Sequence, residues 1–104
     1  MANYLLVYRG GSMPESPEEQ KTVMQAWNDW FGQLGTALVD GGNPASQTKV
    51  IGADGSVSPG GSGSPSGYSV IAADDIDNAV RLAKGCPVLA GGATVDVVET
   101  FAAM

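Results

Sequence analysis

The segment Asn3–Arg9, NYLLVYR, has strand-forming residues along most of its length and is apolar on both sides. Successive side chains of an extended chain point to opposite faces, so Tyr4, Leu6 and Tyr8 share one face and Leu5 and Val7 the other. A strand with one wet face alternates apolar with polar residues; this one requires cover on both sides. The segment therefore belongs in the middle of a sheet, with something packed over each face.

The next segment supplies one of those covers. In SPEEQKTVMQAWNDWFGQLGTALVDGG, Ser16 is the expected N-cap, Pro17 the first helical residue and Glu19 the partner that completes a capping box. Val23, Met24, Trp27, Trp30, Phe31, Leu34 and Leu38 recur at three- and four-residue steps and form one broad apolar stripe, with Gly41-Gly42 as the stop. This predicts a helix over 17–40. Gly35 lies beside the stripe, where a close approach of helix to sheet would account for it.

Further strands are expected at 46–52 (SQTKVIG), 67–73 (around YSVIAA) and 94–101, where Val95 and Val97 share one face. Asp74 or Asp75 caps a short helix over 75–84 with Ile76, Ala79, Val80 and Ala83 as its apolar face, Gly85 as a left-handed end and Pro87 as the stop. The Gly/Ser/Pro-rich stretch 53–66 is too poor in apolar groups to pack by itself and reads as a flexible hairpin loop or a lid. The order strand, helix, strand, strand, helix, strand is that of an α+β ferredoxin-like sandwich, a four-stranded antiparallel sheet with both helices on one face. Two helices leave the opposite face bare. The expected cover is a second copy of the chain, paired about a two-fold axis.

A chain of 104 residues makes one domain, residues 1–104. Its eleven acidic and five basic residues give a net charge of -6, which repels phosphate backbones and anionic bilayers, so neither nucleic acid nor membrane is an expected partner. The longest early apolar run, Tyr4–Tyr8, is too short for a signal peptide or a span, and the chain is expected to be soluble and cytoplasmic.

The chain has no histidine and one cysteine. That removes the usual zinc sets and the Ser-His and Cys-His nucleophile pairs, so no metal and no cofactor is expected. Cys86, between Gly85 and Pro87, is expected to be a small packed residue rather than a nucleophile. DDIDN lacks the later ligands of a calcium loop, and GGSGSPSG lacks both the spacing and the lysine of a phosphate loop. What remains is aromatic. Trp27 and Trp30 lie on adjacent turns of one helix face, and one or the other is expected to line a cleft also reached by Tyr8 or Ser69, suited to a small apolar or aromatic ligand, so the domain reads as a small-molecule-binding or structural module. Asp29, Lys49 and Asp96 are the candidate polar helpers. A histidine-independent isomerase, lyase or monooxygenase-like enzyme would take Asp29 or Asp96 as its base and Tyr8 or Lys49 as helper.

The YLLVY strand, the Ser-Pro-Glu-Glu helix start, GYSVIAADDIDNAVRLAKGCPVL and the closing GGATVDVVETF together resemble the YCII-related (DGPF-type) proteins of bacteria, along essentially the whole chain and most specifically over Gly67–Phe101. The resemblance implies a ferredoxin-like domain that dimerises through its sheets into an α+β barrel with a ligand cleft in each subunit, and it implies no settled reaction. The histidine of the family's first helix has no counterpart here, its place falling at or near Trp27. SVSPGGSGSPSGY stands where the Asp-Gly-Pro-Phe motif would precede the third strand.

Overall fold

A computed structural model describes residues 1–11 and 14–102. In chain order its elements are β1 (Ala2–Arg9), α1 (Pro17–Leu34), β2 (Leu38–Asp40), β3 (Lys49–Ile51), β4 (Val57–Pro59), β5 (Pro65–Ala73), α2 (Ile76–Ala83) and β6 (Thr94–Glu99). Four strands form one antiparallel sheet in the order β2-β5-β1-β6, so β1 is central, as its two apolar faces require. This is an α+β sandwich with the strand arrangement of a ferredoxin-like fold.

Both helices pack on one face. Tyr4, Leu6 and Tyr8 of β1 and Ile71 and Ala73 of β5 are buried there beneath Trp30 and Leu34 of α1 and Ala79 and Ala83 of α2. Leu6 stands opposite Ser69 on one side and Val97 on the other, which fixes all three strands in register with their larger apolar residues facing the helices. On the opposite face Leu5, Val7, Val70 and Ala72 are only half-buried, and Tyr68 and Val98 are exposed. No described element covers that side.

Helix α1 begins as its sequence dictates. Ser16 Oγ accepts the Glu19 amide at 3.1 Å, while the Glu19 carboxylate reaches back to the amide of Glu15 at 2.9 Å, one residue beyond the usual partner in a capping box. It ends earlier than expected, at Leu34 rather than residue 40. Gly35 takes φ +54° with ψ -122°, a positive-φ conformation that glycine adopts readily and that stops the helix, and its amide bonds the Phe31 carbonyl. A Cβ on Gly35 would meet nothing, so close approach to the sheet is not its reason. A short 3₁₀ turn follows, and Leu38 pairs with Ile71 as a residue of the edge strand. Leu38 continues the helical spacing of the stripe but is half-buried as a strand residue.

The second strand of the sheet is therefore 38–40, and the segment expected to supply it goes elsewhere. Within 46–52, Lys49–Ile51 pairs with β4 in a separate hairpin. The stretch 53–66, expected as loop, contains β4, the start of β5 and a tight turn in which the Asp54 carboxylate accepts both the amide and the hydroxyl of Ser56. A Pro44–Gly67 bridge extends the β2–β5 ladder toward this hairpin, and the Gly60 amide to Thr48 carbonyl bond extends the hairpin's own pairing toward the sheet, so the hairpin continues from the sheet as an arm. The radius of gyration, 15.1 Å, exceeds the roughly 13 Å of a compact chain of this length accordingly. At the tip Ile51 is 72% exposed and Val57 61%.

Asp75 is the cap of α2, accepting the Asn78 amide at 2.8 Å. Gly85 is not left-handed, contrary to expectation; a Cβ there would lie 3.1 Å from the indole of Trp30. Gly41 and Gly42 do not stop a helix either. Gly42 has φ +73° and runs so near β5 that a Cβ would fall 1.7 Å from the Tyr68 carbonyl oxygen. Among the described residues no helix is long and apolar enough to cross a membrane.

Candidate functional site

Four aromatic rings gather where α1 crosses the end of β1. Trp27 meets Tyr8 edge-on at 5.7 Å between centroids, and Trp30 and Phe31 at 5.6 Å each. Such geometry sets the positive edge of one ring toward the negative face of the next. The helical spacing of Trp27, Trp30 and Phe31 makes the cluster possible, and Tyr8 completes it from the sheet.

The two tryptophans then part. Trp30 is 3% exposed, and its indole N–H donates to the Leu82 carbonyl of α2 at 3.1 Å. Trp27 is half-buried and forms a wall of a cavity of about 330 Å³. Tyr8 and Phe31 are further aromatic walls, with Val88 beside them, and the rest of the lining comes from the two antiparallel segments that leave the sheet for the arm, Gly41–Pro44 and Ser66–Tyr68. The Tyr68 amide bonds the Asn43 carbonyl at 3.3 Å and the Ala45 amide the Ser66 carbonyl at 2.9 Å, so this wall is a continuation of the sheet ladder. No charged residue is among the described residues that line the cavity. Its volume is at the small end of the range for ligand sites, and its aromatic lining with few polar groups is typical of them.

Ser69 lies one bond behind the wall. Fully buried, it accepts the Tyr8 hydroxyl at 2.7 Å and donates its own proton to the Gly41 carbonyl at 2.8 Å. This chain of bonds fixes the Tyr8 ring between sheet and cavity and consumes both hydroxyl protons. Burial pushes the Tyr8 hydroxyl well above the usual tyrosine value; the Ser69 bond opposes this and the neighbouring Cys86 adds to it. Cys86 is buried and free, its thiol also pushed up by burial, with the Val88 amide and the Tyr8 hydroxyl acting the other way. A thiol so raised is a poor nucleophile at neutral pH.

Of the four residues expected at the cleft, the cavity is lined by Tyr8 and Trp27; Trp30 is buried beside it, with an edge on the separate groove between α1 and the turn at 85–90, and Ser69 supports Tyr8 from behind. The three candidate polar helpers lie elsewhere. Asp29 accepts a bond from Gln25 at 2.8 Å and lines a separate groove between α1 and the turn at 85–90. Asp96 pairs with Arg9 at 2.9 Å on the uncovered sheet face. Lys49 is exposed on the arm, because the segment carrying it left the sheet. Phe31 joins the site unanticipated, although its four-residue step from Trp27 could have flagged it. Asn43 and Ser66 join through pairing that no local signal announces. Among the described residues no group of three acidic or cysteine side chains could hold a metal ion. No family model matches the sequence, and neither does any curated protein.

Proposed function

We propose that the chain is a YCII-related domain of the bacterial DGPF type that works in the cytoplasm as a small-molecule-binding module, with the cleft at Trp27 as its site and a second copy of itself on the bare face of its sheet. The observation that carries the binding reading is the cavity itself, a ligand-sized space walled by three aromatic rings and stiffened by the Tyr8–Ser69–Gly41 bonds. The family reading rests on the Gly67–Phe101 block and on the agreement between the sheet order and the fold that family implies. An enzyme with a carboxylate base finds less support, since Asp29 and Asp96 both lie away from the cavity and are already partnered.

The dimer follows from surface chemistry. Leu5, Val7, Tyr68, Val70, Ala72 and Val98 lie on the helix-free side of three adjacent strands, an apolar face bordered by the Arg9–Asp96 pair and of the kind that single chains seldom leave in water. Two such faces related by a two-fold axis close on each other and generate a barrel. Sedimentation should give twice the chain mass for the unaltered protein and one chain mass for Val7→Lys, with circular dichroism unchanged; a single-chain mass for the unaltered protein at micromolar concentration contradicts the pairing.

A screen of uncharged fragments by saturation-transfer NMR tests the binding reading. Hits should compete with one another and vanish in Trp27→Ala. An absence of hits, or hits that persist in that variant, contradicts it.

A further inference from the structure

We infer that the β3–β4 arm is an exchanged clasp, its Ile51–Val57 side laid on a second copy of the chain, an inference that rests on the pairing proposed above. The arm has no core of its own. Every residue of its two strands is exposed, and a two-stranded hairpin standing alone in water is marginally stable at best. Ile51 and Val57 nonetheless stand directly opposite each other, with Lys49 and Pro59 on the same side and Val50 and Ser58 on the other. One side of the arm thus carries an apolar cross-strand pair that nothing in its own chain covers.

The arm is also held in place, and beside the bare sheet face. Its ladder is closed at both ends, by the Gly52 amide to the Ser56 carbonyl at 2.7 Å and by the Gly60 amide to the Thr48 carbonyl at 2.9 Å. The Arg9 guanidinium, which pairs with Asp96 on that face, donates as well to the Gly63 carbonyl at the base of the arm. A projection fixed in this way loses little freedom on binding. The molecule spans 44 by 39 Å but is only 18 Å thick, the depth of one sheet under one layer of helices. The arm therefore runs out within that slab and does not fold back over its own sheet.

Area points to a second copy as the cover. Three strands at about 4.8 Å spacing and about 3.3 Å per residue present a bare face of about 14 Å by about 24 Å, roughly 340 Å² in plan. A stable interface buries about 800 Å² per partner, which this face does not reach even with side-chain relief. The arm ladder, Thr48–Gly52 against Ser56–Gly60, offers about 10 Å by about 17 Å, roughly 170 Å². In a two-fold pair each copy gives one arm and receives one, so the arms add about 340 Å² per copy and double the contact.

The test combines sedimentation with NMR of samples that mix labelled and unlabelled chains. NOEs filtered for contacts between copies should link the Ile51 and Val57 methyl groups to the other copy. Across a concentration series, Ile51→Ser/Val57→Ser should raise the dimer dissociation constant about tenfold or more, the effect of withdrawing two apolar side chains from an interface. The filtered NOEs decide the matter if those substitutions unfold the arm. A stable dimer that shows no such NOEs, or whose dissociation constant is unchanged in the folded double variant, overturns the clasp and leaves the pairing of the sheets in place. A single-chain mass for the unaltered protein removes the pairing and the clasp together.

Discussion

Trp27 and Trp30 stand three residues apart on one helix and have opposite surroundings. Trp30 faces the C-terminal turn of α2, where the absence of a side chain at Gly85 lets the indole lie against the backbone and donate to Leu82. Trp27, one turn earlier, overhangs the end of β1, where α2 no longer reaches and the neighbouring chain turns away into the arm. The same residue type on the same helical face thus closes a core in one place and walls a cleft in the next. Helical spacing decides which side chains face the sheet; what lies beneath each is decided by how far the opposing elements extend.

That contrast should appear first in stability. Trp30→Ala removes a buried ring and one of the two donors to the Leu82 carbonyl, the Gly85 amide being the other, and should cost about 4 kcal/mol in urea unfolding, against roughly 2 kcal/mol for the half-buried Trp27. Equal losses would mean that Trp27 is as much a part of the core as Trp30.

A smaller effect probes the support behind the cleft. Ser69→Ala leaves the Tyr8 hydroxyl and the Gly41 carbonyl without their partner, and should cost about 2 kcal/mol while loosening the cavity wall. Ligand affinity should fall with it. A substitution that leaves both stability and affinity unchanged would show that the wall does not depend on this bond.

The smallest effect depends on pH. Tyrosine ionises near pH 10 in the unfolded chain, while burial makes Tyr8 keep its proton to higher pH in the folded one. Below the unfolded value both states hold the proton and stability is unaffected by it. Above it the unfolded chain releases a proton that the folded chain retains, so stability falls as pH rises. In Tyr8→Phe that part of the fall disappears, and urea midpoints of the two proteins from pH 8 to 11 should converge only above about pH 10. Parallel curves would place the Tyr8 hydroxyl in water.

Much of the frame was legible because its causes are local. The double apolar alternation of Asn3–Arg9 demanded a central strand, and Ser16 and Asp75 capped their helices where short-range chemistry placed them. The end of α1 was misread because Leu38 fits a helical repeat by coincidence of spacing, while the residue that ends the helix, Gly35, signals through backbone conformation. From that error followed the displaced second strand and the misplacement of Lys49. In the site, Tyr8 and Trp27 were legible by residue type and position. Asn43 and Ser66 were not, because the Pro44–Gly67 bridge that brings their segments together depends on pairing between distant parts of the chain.

Trp27 borders an open cleft, while Trp30 is almost wholly buried. Acrylamide quenching of two single-tryptophan variants tests it most directly, Trp30→Phe leaving Trp27 as the emitter and Trp27→Phe leaving Trp30. Trp27 should be quenched severalfold more strongly than Trp30, and should be shielded when a competing fragment from the screen fills the cleft. Equal, weak quenching of both indoles, unchanged by any fragment, would contradict it.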